Sequence, residues 1–259
     1  VPAAFANETI VIPLNNREAL DEALREHGHD IACIIIEPIP ANNGLLLQEK
    51  SFLECLRKKA HQHGALLIFD EVISGFRVGF NGAAAYYGIQ PDIITYGKII
   101  GGGMPVGAYG ASREIMRNVS PDGAVYQAGT LSGNPVAMAA GEAALTQLLQ
   151  AGVYEELEAK TRRFVATLQA HADAKNYPLT IPQIGSIFWL AFSRTTIRAA
   201  HEIDGSSMQY FKRLHALLLE RGIYLGPSGY EVGFVSVAHT QEQLDWAAGV
   251  ICACLDEVF

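Results

Sequence analysis

The run IACIII at residues 31–36 is apolar without a break and rich in β-branched side chains. It constrains the fold more than any other stretch. A strand with one wet face alternates apolar and polar residues, whereas an unbroken run fits a parallel strand covered on both faces. Helical patterns bracket it. NREALDEALREHG (16–28) spaces its apolar residues as a helix does and ends on Gly28, a C-terminal cap; residues 49–63 repeat the pattern and close at Gly64. Three more strand-like runs follow, ALLIFDE (65–71), PDIITYGK (91–98) and PVGAYGA (105–111). This β-α-β-α rhythm predicts an α/β fold with a mostly parallel sheet.

After SGNP the pattern predicts a helix over 135–150, with Pro135 in its first turn, and another near 152–172. The texture then changes. Strands are expected at 185–193 and 234–239, and helices at 206–221 and 240–258. The expected organisation is a major domain over 1–150 and a smaller α+β C-terminal domain over 151–259.

Charge and cysteine usage narrow the function. A net charge of −8 with no basic run argues against nucleic acid as a partner. The longest apolar runs are too short to cross a bilayer. VPAAFANETI, the start of the chain, has no basic or apolar leader region and no initiator Met, as expected of a mature or truncated chain. Cys33, Cys55, Cys252 and Cys254 form no CxxC or Cys/His metal spacing. Buried reduced thiols in a cytoplasmic protein, and no metal site, are the expectation. Trp189 and Trp246 read as packing residues.

The chemistry is expected at strand ends, because ligands of open parallel sheets bind beyond the carboxyl ends of the strands. The first strand ends in Glu37-Pro38, the second in Asp70-Glu71, and the third near Lys98. One acid after a strand is an ordinary cap or turn former. Two acids and a lysine from consecutive strands point further. A lysine amine can form a Schiff base with an aldehyde, and pyridoxal phosphate is one. A carboxylate beside its ring nitrogen keeps that nitrogen protonated. Asp70 and Lys98 suit those two tasks. YQAGTLSGNP (126–135) places Thr130 and Ser132 among glycines before a helix, where a phosphate could be held. The glycines at 101–103 are expected to clear space for a ring and a neighbouring subunit. A dinucleotide loop is the rival reading of that glycine run, but G-x-G-x-x-G fails at Val106 and Pro105 interrupts the context. Arg77 stays open between a substrate contact, a dimer contact and a surface position.

LLIFDEVISGFR, PDIITYGKIIGGGMPVGAYG and YQAGTLSGNPVAMAAG resemble the class III pyridoxal-phosphate aminotransferases of fold type I. GTLSGNP and PSGYEVGF resemble the family's aminomutase branch, which turns glutamate-1-semialdehyde into 5-aminolevulinate for tetrapyrrole synthesis. The resemblance implies pyridoxal phosphate as cofactor, with a pyridoxamine phosphate form in the cycle. It makes Lys98 the cofactor-binding lysine and Asp70 the partner of the ring nitrogen, with Val72 packed on the ring. Thr130 becomes a phosphate ligand supplied by the other subunit, hence a homodimer. It puts Glu37 and Asn42 near the entrance, and Glu231 where related aminotransferases often hold a substrate carboxylate with arginine. The family chain is longer, so residues 1–259 match its C-terminal part, without its N-terminal phosphate loop. Another class III aminotransferase, or a non-catalytic fragment of such an enzyme, remains an alternative.

Overall fold

A computed structural model describes residues 1–259. In chain order the elements are α1 (Ala3–Ala6), α2 (Arg17–His27), β1 (Cys33–Ile36), α3 (Lys50–Gln62), β2 (Leu66–Asp70), α4 (Gly82–Tyr87), β3 (Ile93–Tyr96), β4 (Ala108–Ala111), α5 (Arg113–Met116), α6 (Pro135–Leu148) and α7 (Val153–Ala174). They are followed by β5 (Gln183–Ile184), β6 (Ile187–Phe188), α8 (Met208–Glu220), β7 (Gly233–Phe234) and α9 (Gln241–Val258).

The first sheet has the order β1-β2-β3-β4. Its first two pairings are parallel and the third, β3 with β4, is antiparallel. The α/β expectation therefore holds. Local signals set the helices. Asn16 caps α2 by accepting a hydrogen bond from the Ala19 amide at 2.9 Å, and Thr240 with Gln243 forms a capping box at α9.

One apolar core joins Leu20 and Leu24 of α2, Phe52, Leu53 and Leu56 of α3, and Ile36, Leu67 and Phe69 of the sheet. Burying each of these side chains contributes about 1.5–3 kcal/mol. The opposite sheet face stays open. Ile35 is 61% exposed, and Cys33 is exposed. This corrects two expectations: β1 is covered on one face, not both, and the Cys33 thiol is not buried. Helices α2 and α3 supply a layer on one side only, so alternate residues of β1 face out.

The C-terminal half builds a second core from α7, α8 and α9. IFWLAF (187–192) is the wall between the two cores. Ile187, Trp189 and Ala191 point into the first core, and Phe188, Leu190 and Phe192 into the second. The side-chain period of two in extended chain produces that division.

Both C-terminal strands are shorter than expected. Within 185–193 only Ile187–Phe188 pair as a strand, with a lone bridge from Thr180 to Ala191. Within 234–239 the strand ends at Phe234; the Val235 amide still donates to the Ser186 carbonyl at 3.0 Å, and beyond it the Ser236 amide donates to His239 Nδ1 at 3.0 Å. No helix is long and apolar enough to cross a membrane.

Candidate active site

Parallel register brings three strand ends to one edge. Ile36 aligns with Phe69, and Asp70 with Thr95. Glu37, Asp70 and the segment from Thr95 to Lys98 therefore leave the sheet side by side. One oxygen of Asp70 is fixed: Oδ1 accepts from the Val72 amide at 3.0 Å and from the Thr95 hydroxyl at 3.2 Å. No protein group bonds its other oxygen, Oδ2. Thr95 escaped the sequence reading. Its signal was its place three residues before Lys98, in register with Asp70.

Lys98 begins a 3-10 turn, Lys98–Gly101, with a left-handed backbone at φ 49°. A non-glycine residue in that region is held there against its own preference, as is common at functional sites. The lysine ion pairs of the chain belong to Lys50, Lys59, Lys160 and Lys175, so the exposed Lys98 side chain has no ion-pair partner. Val72 lies against the residue before it: a Cβ on Gly97 would sit 3.1 Å from Val72 Cγ1. Asp70, Val72 and Lys98 thus share one corner of the sheet edge.

Glu71 turns away from that corner. It is 1% exposed and accepts from the amides of Ala83 at 2.6 Å and Ala84 at 2.8 Å, and from the Ser74 hydroxyl at 3.1 Å. The carboxylate anchors α4, a six-residue helix too short to show a period in sequence. Burial pushes the Glu71 carboxyl above its usual range, partly offset by the two amides and the Ser74 hydroxyl.

The other predicted site residues lie on loops, and only Glu37 and Asn42 are joined to each other. Asn42 Nδ2 donates to Glu37 at 2.8 Å. Glu231 is exposed on the loop before β7, its side chain over Gly226. Thr130 is on the exposed loop 126–133, and no hydrogen bond joins it to the strand ends; Tyr126 on that loop is 84% exposed.

The structure places three further residues or groups the sequence singled out. The Arg77 guanidinium is half-buried: it lies 4.1 Å over the Phe234 ring, Nε donates to the Ile73 carbonyl at 3.3 Å, and burial lowers its pKa to about 10. Trp246 is 54% exposed and not a core residue. Of the glycines after Lys98, Gly102 serves backbone packing, whereas Gly103 borders open space. A side chain on Gly102 would strike the Ala140 carbonyl of α6, and one on Gly141 the Ile100 carbonyl. The turn behind Lys98 is thus pressed onto α6, and Asn134 and Pro135 start that helix as expected. No group of three or more His, Cys, Asp or Glu residues could hold a metal ion.

Comparison with known proteins adds context to this geometry. Residues 2–255 match the family described as aminotransferase class-III. The chain is similar to the glutamate-1-semialdehyde 2,1-aminomutase of Desulfosudis oleivorans (strain DSM 6200 / JCM 39069 / Hxd3). The two are 48% identical over 245 residues, which is 95% of this chain and 57% of that protein. The chain thus spans little more than half the length of that relative. Its structure is similar to that of an omega-transaminase from Sphaerobacter thermophilus, with TM-score 0.92 and 28% identity over 99% of this chain and 59% of that one. A transaminase with PLP bound gives TM-score 0.87 and 31% identity, again over 99% and 59% of the two chains.

Proposed function

The chain belongs to the class III aminotransferase family, and from that premise we propose that the protein is a PLP-dependent aminomutase that converts glutamate-1-semialdehyde to 5-aminolevulinate. The 48% identity to an aminomutase supports the substrate. The observation that carries the reading is one corner of the sheet edge. There Asp70 keeps Oδ2 without a partner, beside an unpaired Lys98 held in a left-handed turn.

These residues fit PLP. An open carboxylate oxygen suits a protonated ring nitrogen, a free amine suits an aldehyde, and Val72 offers an apolar surface between them. Bound there, PLP supplies an electron sink and a nitrogen carrier for the amino group. Asp70 would hold the protonated ring nitrogen, with Oδ2 open to it while Oδ1 is tied to Val72 and Thr95. Lys98 would hold the cofactor and would move protons between cofactor and substrate carbon as general acid and base. Glu231 would be a substrate-binding group, and an acid there disfavours a dicarboxylate oxo-acid as amino acceptor, which suits an isomerase that needs none. Thr130, outward on its loop, would hold the phosphate of a partner subunit in a homodimer. A cytoplasmic location and a division near residue 150 belong to the same proposal.

The test is conversion of glutamate-1-semialdehyde by the intact protein with no oxo-acid added. Formation of 5-aminolevulinate is the expected result. A requirement for an added oxo-acid acceptor overturns the aminomutase reading. It would favour a transaminase, the second reading, which the likeness to the S. thermophilus enzyme supports. No turnover with either favours a non-catalytic chain.

A further inference from the structure

Trp189 is the largest side chain buried in the first core, at 1% exposure. Packing alone does not account for what it touches. Its indole Nε1 donates to the Gly229 carbonyl at 2.8 Å, across a sequence separation of 40 residues. The face of the same ring lies on Gly44, where a Cβ would come within 2.6 Å of it and φ is +85°. The Gly44 amide donates to the next carbonyl of the same loop, that of Tyr230, at 2.7 Å.

Two consecutive carbonyls, those of Gly229 and Tyr230, are therefore clamped just before Glu231. One clamp is the indole, and the other is the backbone that the indole packs against. Behind the loop, Gly229 is walled by α8: a Cβ there would lie 2.5 Å from Met208 Sδ and 3.0 Å from Phe211 Cβ. The Glu231 amide closes its own turn on the Ser228 carbonyl at 2.9 Å. On the other side, Gly44 follows Asn42 in the loop that begins at Glu37. A phenylalanine would fill most of the same core volume but could not bond the loop. The N–H matters only toward the segment that carries Glu231.

We infer that Trp189 is a positioning residue: it locks the loop bearing Glu231 in register with the loop bearing Glu37 and Asn42, and so sets how the substrate is gripped. The inference rests on the reading of Glu231 as a substrate-side group. It assigns Trp189 an effect on binding, exerted through Glu231 and not on the proton transfer at Lys98.

The test is steady-state kinetics of the intact holoenzyme with glutamate-1-semialdehyde, for Trp189→Phe, Glu231→Gln and the double variant. Trp189→Phe is expected to raise KM about 5-fold, the fold-change of one net hydrogen bond, with kcat within about 2-fold. Gly44→Ala, which pushes the indole off the loop, is expected to give the same split. Because Trp189 acts through Glu231, the double variant is expected to have the KM of Glu231→Gln alone. A thermal melt of each variant accompanies the kinetics. If Trp189→Phe lowers the melting temperature but leaves KM unchanged while Glu231→Gln raises it, Trp189 only packs and the inference is wrong. If the two effects on KM multiply in the double variant, Trp189 does not act through Glu231 and the inference is likewise wrong. If Glu231→Gln itself leaves KM unchanged, the role of Glu231 falls, and this inference with it.

Discussion

Asp70→Asn separates the chemistry of the site from its architecture. The side chains are isosteric. Oδ1 of the asparagine can still accept from the Val72 amide and the Thr95 hydroxyl, the two bonds at 3.0 and 3.2 Å. The turn into Val72 should therefore survive, with stability within about 0.5 kcal/mol of the parent, as for a substitution that removes no packed atom or bond. What changes is the open position. A carboxylate oxygen that can accept a ring N–H becomes an amide NH₂ that cannot. A hydrogen bond to a charged group is worth about 1.5–3 kcal/mol, which corresponds to roughly 10- to 150-fold. Loss of the ring proton weakens the electron sink as well, so kcat should fall by at least that range. The assay pairs urea denaturation of the protein with PLP titration and turnover of glutamate-1-semialdehyde. Unchanged stability with turnover down by 10-fold or more is the expected pattern. Turnover within 2-fold of the parent would refute the assignment of Asp70. Lost stability would refute the claim that Oδ1 alone holds the turn.

Further predictions concern the frame of the site. Glu71→Ala leaves the Ala83 and Ala84 amides without acceptors, which should cost about 3 kcal/mol at pH 7 and be read from the urea midpoint. Burial raises the folded pKa of Glu71 above its ordinary 4.5, so the native state holds the proton more tightly than the unfolded one. The Glu71 contribution to stability should thus be largest at acid pH and decline as pH rises through that raised value, a slope the Ala variant lacks in a pH series of midpoints. Gly102→Ala and Gly103→Ala both force an alanine into left-handed backbone, at φ 56° and 94°. Only the first also strikes α6 at Ala140, so it should lose more than the roughly 1–2 kcal/mol of the conformational cost alone, and the two melts should differ accordingly.

The α/β rhythm and every helix of eight or more residues were legible in sequence, because each carries a full period, a cap or both. The ladder partners and their hand were not. β4 runs antiparallel to β3, and nothing in PVGAYGA declares its direction. Continuity of IACIII gave the strand but not its burial, which depends on which layers lie over the sheet. IFWLAF held its division between two cores in plain alternation, yet the strand it predicted shrank to Ile187–Phe188. At the site, Asp70 and Lys98 stood out because acids and amines at strand ends are few. Glu71 looked equivalent to Asp70 in sequence. Only the fold shows that one faces α4 and the other the open edge, since neighbours in a strand point to opposite faces. Among the glycines after Lys98, Gly102 marks a close approach to the backbone of α6, which the sequence could not name. Gly44 and Trp189 act across 40 to 186 residues of sequence (Trp189 to Gly229, Gly44 to Tyr230) and left no local trace, while Thr95 was marked only by its place three residues before Lys98.

The central claim is that Lys98 carries the cofactor. Reduction of the PLP-loaded protein with borohydride, followed by proteolysis and mass spectrometry, tests it most directly. The account predicts the phosphopyridoxyl group on the peptide that holds Lys98, and its absence, together with the loss of the visible absorbance of bound PLP, in Lys98→Ala. The label on another lysine, or an unchanged absorbance band in Lys98→Ala, would contradict it.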